Sequence, residues 1–203
     1  MQLLANNTSP FVRIVRVAMI EKGLYVEPTI VDPWADDARL RAANASTRVP
    51  TLITDDGTPL AESLLIVQWL ELTRPSPEWP SLFGVDATGV LSRAGMALGV
   101  IDAAVVTIIT RKVTTPTLFD DTPVGLRRRR SMAEGMERLE AVADRLSPAE
   151  VSTPTLDAIC SVVALDYLRF RFADAPWLPA MPVLDALSLR LRSRDSFAQT
   201  FPS

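Results

Sequence analysis

Eight residues, Thr73-Arg74-Pro75-Ser76-Pro77-Glu78-Trp79-Pro80, carry three prolines. No other stretch constrains the fold as much. Proline lacks an N–H and locks φ, so neither a helix interior nor a central strand runs through such a segment. The chain is therefore expected to divide here, with one domain over 1–73, a linker over 74–86 and a second domain over 87–203.

The two sides carry different patterns. Before the linker, Gln2–Ala5 reads as a short strand. Pro10 stands at a helix start, where its missing N–H costs nothing. Val12, Val15, Val17, Ala18, Met19 and Ile20 then supply an apolar helical face, and Gly23 sits at a typical stop position. Tyr25–Val31 reads as a second strand, with Pro28 restricting part of it to a sheet edge. Asp36–Ala43 is a weak helix and Val49–Ile53 a β-rich run. Asp55-Asp56-Gly57 makes a hairpin turn, Thr58–Leu60 is the return strand, and Leu64–Leu70 is a helix. The order is β-α-β-α-β-β-α, an α/β domain. After the linker no strand pattern is found. Residues 88–112, 123–146, 154–172 and 180–193 read as helices, so the second domain is all-α.

Composition removes more chemistry than any motif adds. The chain has no histidine and one cysteine, Cys160. Histidine triads, bases and metal ligands are excluded, as are an intramolecular disulfide, a two-cysteine redox pair and a thiolate zinc cage. Cys160 lies beside Ile159, Val162 and Val163 and reads as a small buried residue. The formal net charge is −3, against a basic field for nucleic acid. Arg127-Arg128-Arg129-Arg130 is followed by Glu134, Glu137 and Glu140, which favours a solvated helix face over a binding patch. Asn6–Pro10 interrupts any leader-like core in residues 1–20. Asp102 and Thr107 break the apolar stretch at 96–109, so no membrane span is expected and a cytoplasmic location is.

Three stretches in order carry a resemblance to a known family. "TSPFVRIVRVAMIEKGL" resembles the first loop and helix of soluble glutathione S-transferases of the bacterial, serine-type kind. "NASTRVPTLITDDGTPLAESLLIVQWLE" resembles their glutathione-binding half, and "SRDSFAQTFP" the tail of bacterial members. The resemblance covers nearly the whole chain. It implies a thioredoxin-like N-terminal domain joined to a helical C-terminal domain. It also implies glutathione as co-substrate, no metal, a small electrophilic second substrate, a homodimer and a detoxifying role. Two departures stand out. Thr47-Arg48 replaces the family's common Gly-Lys before Val-Pro. Pro154 replaces Ser or Thr three residues before Asp157, leaving Thr153 or Thr155 to cap the helix there.

The resemblance also assigns roles. Val49-Pro50, with a cis bond, would offer the Val49 backbone to the cysteinyl part of glutathione. Ser63 and the helix start would take the γ-glutamyl carboxylate, and Glu62 its ammonium. Without the resemblance, Glu62-Ser63 is simply a helix start. Ser9 would donate to the sulfur, with Thr8 and Asn7 as rivals. It is equally a good N-cap, and both roles fit one hydroxyl. Arg48, Arg39 or Trp34 would hold the glycyl carboxylate, Arg48 being the first choice because it adjoins Val49. Phe11 would line the wall for an apolar cosubstrate, while Arg13 and Arg16 read as structural ion-pairing residues. The electrophile would lie against Met96, Val100, Ala103, Ala104 and Thr107. The readings that compete with a transferase are a glutathione-dependent isomerase or dehalogenase on the same scaffold, and a non-catalytic interaction module.

Overall fold

Strand β1 (Gln2–Ala5) is the apolar segment that pairs on both sides. Its residues Leu3, Leu4 and Ala5 are almost fully buried. The computed structural model describes residues 1–114, 116–146 and 153–202. Within them, α1 (Pro10–Glu21) crosses from β1 to β2 (Pro28–Ile30), which runs parallel to β1. Helix α2 (Ala38–Ala43) then leads to β3 (Thr51–Ile53), antiparallel to β1. The turn at Asp55-Asp56-Gly57 returns the chain as β4 (Pro59–Ala61), and α3 (Ser63–Thr73) follows. The sheet order is β2-β1-β3-β4, a mixed thioredoxin-like sheet.

Strand β1 has the expected bounds and β4 is shifted by one residue, while β2 and β3 are shorter than the sequence pattern predicts, with proline at or just before their starts. Pro28 opens β2 and Pro59 opens β4, both at sheet edges where a missing N–H costs no ladder bond. Gly23 has φ +67°, and a Cβ there would fall 2.3 Å from the Trp79 ring. Only glycine closes α1 this way.

The compact units are Met1–Leu82 together with Arg192–Ser203, and Phe83–Leu191. Both expected boundaries differ from this. Residues 74–82 are fastened to the first unit. Lys22 is fully buried, and its Nζ lies 2.8 Å from Glu71 and 3.0 Å from the Arg74 carbonyl. Glu71 also accepts from the Leu82 N–H at 2.7 Å, and Arg74 stacks 4.5 Å over Trp79. The C-terminal tail belongs to the same unit because Glu21 grips it. Arg194 donates to Glu21 at 2.7 and 2.8 Å, and Ser196 at 2.5 Å. Arg13 and Arg16 serve this tail too. Arg13 stacks 5.3 Å over Phe201, and Arg16 donates to the Gln199 carbonyl.

The second unit is helical: α4 (Ala87–Val113), α5 (Pro116–Asp120), α6 (Pro123–Glu140), a 3-10 turn (Ala143–Arg145), α7 (Leu156–Phe172) and α8 (Pro182–Leu191). A last short helix, α9 (Asp195–Ala198), lies in the tail. The expected 87–203 domain includes residues 115, 147–152 and 203, which lie outside the described residues. Helix α7 is buried on nearly every side, as a central helix must be. Helix α4 is long and apolar enough to cross a membrane by length and composition, more continuous than its sequence suggests. Its apolar side is instead spent on packing against α6 and α7. Thr155 is the cap of α7 by position, but its hydroxyl is turned to Asp157 Oδ1 and the Leu146 carbonyl. Asp157 is fully buried and accepts from Arg93 at 2.6 Å. Arg128, Arg129 and Arg130 are occupied by Asp102, the Asp120 carbonyl and Glu134.

The Lys22–Glu71 pair supports a test of this anchoring. Removing one member of a buried pair leaves the other charge uncompensated and costs about 3–5 kcal/mol. Lys22→Met keeps side-chain length and should lower unfolding stability by about that amount in denaturant titration. K22M/E71Q should recover part of the loss.

Candidate functional site

Register decides which loops meet. Leu4 pairs with Thr51 across β1 and β3, and Thr51 pairs with Ala61 across β3 and β4. Ala5 pairs with Ile30 across β1 and β2. The end of β1, the entry to β3, the exit of β4 and the end of β2 therefore share one end of the sheet. The Asn6–Ser9 loop, Arg48-Val49-Pro50, Glu62-Ser63 and the loop carrying Trp34 gather there.

Ser9 is the N-cap of α1. Its Oγ accepts from the Val12 N–H at 3.3 Å, and Pro10 follows at the first helical position. That bond uses an acceptor lone pair and leaves the hydroxyl proton to be donated elsewhere. Thr8 differs, because its hydroxyl donates to Asn6 Oδ1 at 2.9 Å and its N–H to the same oxygen at 3.0 Å. Asn7 is exposed, while Ser9 and Phe11 are half-buried.

The Val49–Pro50 peptide is cis. Arg48 is exposed, and its Nη1 lies 3.1 Å from Glu62 Oε1. Glu62 precedes α3 with φ +69° and ψ 122°, a conformation that a side chain beyond Cβ rarely adopts. Such outliers persist where surrounding structure holds them and mark candidate functional positions. Helix α3 has no side-chain cap, so its first N–H groups are left to other acceptors. Ser63, its first residue, is buried. Of the side chains considered for the glycyl carboxylate, Arg48 is turned to Glu62 and Arg39 to Asp37. That hydrogen bond to Arg39 holds the Asp37 carboxyl below its usual range. Trp34 is exposed.

Sequence reasoning missed Asn44, whose side chain reaches the Arg48 carbonyl and Thr51. Its only local signal is an asparagine just past a helix end. The residues expected to face an electrophile fare differently. Val100, Ala103, Ala104 and Thr107 lie in the helical unit's core, and the Thr107 hydroxyl donates to the Ala103 carbonyl. Met96 alone of the five is half-buried. Arg111 is paired with Asp120 and stacks over Phe172. Burial pushes the Cys160 thiol far up, with the Asp157 charge adding to it, so Cys160 is not a thiolate nucleophile.

Comparison with known proteins matches this architecture. A family model for the N-terminal domain of glutathione S-transferases fits residues 8–73. The uncharacterized GST-like protein YibF of Escherichia coli is 29% identical over 204 residues, spanning 100% of this chain and 98% of YibF. A glutathione S-transferase of Methylobacterium radiotolerans, solved with glutathione sulfonate, aligns with a TM-score of 0.85 at 29% identity. That match covers 99% of this chain and 94% of the other. One from Methylobacillus flagellatus with glutathione bound has a TM-score of 0.85 at 28% identity, covering 100% and 99%.

Thr47 has φ +49°, where a Cβ costs about 1–2 kcal/mol and glycine costs little. Thr47→Gly gives back about 0.5–1 kcal/mol of this in unfolded-chain freedom. A net stabilisation of up to about 1 kcal/mol is expected from thermal or denaturant unfolding. A clear loss would show that the Thr47 side chain contributes contacts of its own.

Proposed function

We propose that the chain, whose residues 8–73 fit the glutathione S-transferase N-terminal family model, is a soluble glutathione S-transferase that binds glutathione and transfers it to a small apolar electrophile. One observation carries the binding reading. Helix α3 begins without a side-chain cap, directly after a positive-φ Glu62 whose carboxylate is held beside Arg48. Free N–H groups at a helix start favour a carboxylate, and a carboxylate next to them favours an ammonium. The γ-glutamyl end of glutathione presents both groups on one carbon.

In this reading, Ser63 and the first turn of α3 take the γ-glutamyl carboxylate and Glu62 takes the ammonium. The Val49 backbone pairs with the cysteinyl residue, next to the cis Val49–Pro50 bond. Arg48 is assigned to the glycyl carboxylate, which requires its guanidinium to leave or share Glu62. Phe11 faces the sulfur side. Ser9 donates to the sulfur and favours thiolate over thiol. The support for Ser9 over Thr8 is the spent hydroxyl proton of Thr8. The thiol proton passes to solvent, since the chain holds no histidine to receive it. The thiolate then forms the S–C bond while the leaving group departs with the electron pair of its own bond. Each pKa unit by which the thiol is lowered represents about 1.4 kcal/mol. A second copy of the chain is the proposed partner, and the exposed Leu64, Leu65 and Leu72 of α3 suit an apolar interface.

Calorimetric titration with glutathione, wild type beside Glu62→Ala, tests the site. The expected result is binding in the wild type and at least a tenfold loss in the variant, about 1.4 kcal/mol. A folded wild type that takes up no glutathione defeats the reading and leaves an interaction module. Ser9→Ala tests the mechanism separately. It should keep glutathione binding, raise the pKa of the bound thiol read from thiolate absorbance, and lower turnover. Its lost cap should also cost about 1 kcal/mol of stability.

A further inference from the structure

We infer that Asn44 and Thr51 are positioning residues that aim the Val49 N–H at the ligand by pinning the Arg48 carbonyl. The inference rests on the glutathione-binding reading of this end of the sheet. Asn44 ends α2, its N–H donating to the Leu40 carbonyl at 2.8 Å. Its carboxamide nitrogen donates to the Arg48 carbonyl at 3.2 Å and to Thr51 Oγ1 at 3.0 Å. The Thr51 hydroxyl donates to the same Arg48 carbonyl at 2.8 Å. Thr51 is fully buried at the start of β3. On its other side, Asn44 Oδ1 accepts the Ser46 N–H at 3.0 Å, and the Asn44 carbonyl accepts the Thr47 N–H at 2.8 Å.

This ring uses every donor that the two side chains possess. A carboxamide has two N–H groups and a hydroxyl one, and all three are engaged between Asn44, Thr51 and Arg48. Its effect is directional. The Arg48–Val49 peptide is trans, so its C=O and N–H point in opposite directions. With the oxygen held by Asn44 and Thr51, the Val49 N–H faces away from those two side chains, which in the glutathione-binding reading is where the cysteinyl backbone lies. Freed of both side chains, that peptide plane is able to rotate, and the donor then no longer has a set direction. Neither side chain need touch the ligand.

The experiment uses Thr51→Val, Asn44→Asp and the conservative Thr51→Ser. It reads glutathione affinity, turnover with a generic chloroarene electrophile, and the Val49 amide resonance in the unliganded protein. The expected result is glutathione binding weakened about fivefold to tenfold in Thr51→Val, the size of one misaimed hydrogen bond. KM for glutathione should rise by that factor while kcat at saturation stays within twofold. Thr51→Ser should restore the wild-type values, and the unliganded Val49 amide should shift and exchange faster only in Thr51→Val and Asn44→Asp. Ser46→Ala, which alters no side chain in the ring, is the control. Wild-type affinity in Thr51→Val overturns the inference. So does a loss in which kcat and melting temperature fall together and Thr51→Ser gives no rescue. Absence of glutathione binding in the wild type defeats the functional reading instead, and the Val49 amide alone then decides the positioning. An unchanged resonance in both variants overturns it.

Discussion

The antiparallel pairing of β3 with both β1 and β4 is the constraint on which the candidate site depends. Thr51 stands opposite Leu4 on one side and Ala61 on the other. Both neighbours thereby deliver a loop to the same end, Asn6–Ser9 from β1 and Glu62-Ser63 from β4. A slip of one residue would turn the buried Leu52 to the opposite face and separate these loops, so the apolar core itself holds the register. Three-residue strands suffice because β1, Leu52 and the inner faces of α1 and α3 bury a continuous apolar layer.

Charged pairs then fix what the sheet leaves loose. Lys22 and Glu71 join the end of α1 to the end of α3 and draw residues 74–82 onto the same unit. Glu21, one residue earlier, holds Arg194 and Ser196 of the tail, and its hydrogen bond raises the Arg194 guanidinium pKa further. The two anchors occupy the C-terminal end of α1, while its N-terminal end carries Ser9. Stability and the candidate chemistry are thus kept at opposite ends of one helix.

The order of elements was legible because each signal is local. Pro10 at a helix start, Gly23 at its stop and Asp55-Asp56-Gly57 between strands declare themselves within a few residues. The cis Val49–Pro50 bond and the Glu62-Ser63 junction came from the family resemblance rather than from any residue pattern. What escaped was set by partners distant in sequence. Residues 192–203 follow a helical domain and read as part of it, yet Glu21 claims them from 173 residues away. Arg48 reads as a free cation beside Val49, and only the closed hairpin brings it to Glu62. Val100, Ala103 and Ala104 suit a pocket wall as well as a core, because apolar spacing is the same for both, and the packing of α4 decides.

The Arg48–Glu62 pair has a further consequence for how a zwitterion would enter. Both members are more than half exposed, at 60% and 57%, and such pairs contribute about 0–1 kcal/mol. Opening the pair is therefore cheap. The tripeptide carries its own ammonium and carboxylates, so each separated partner meets a new opposite charge. Arg48 and Glu62 would each remain paired, and the second carboxylate of the tripeptide would rest on the uncapped N–H groups at the start of α3. On the glutathione-binding reading, affinity would then come from directed donors, the uncapped start of α3 and the Val49 N–H. In the unliganded chain the ion pair holds two long exposed side chains beside the start of α3. On the same glutathione-binding reading, specificity would come from backbone groups at the start of α3 and at Val49 rather than from the exposed ion pair.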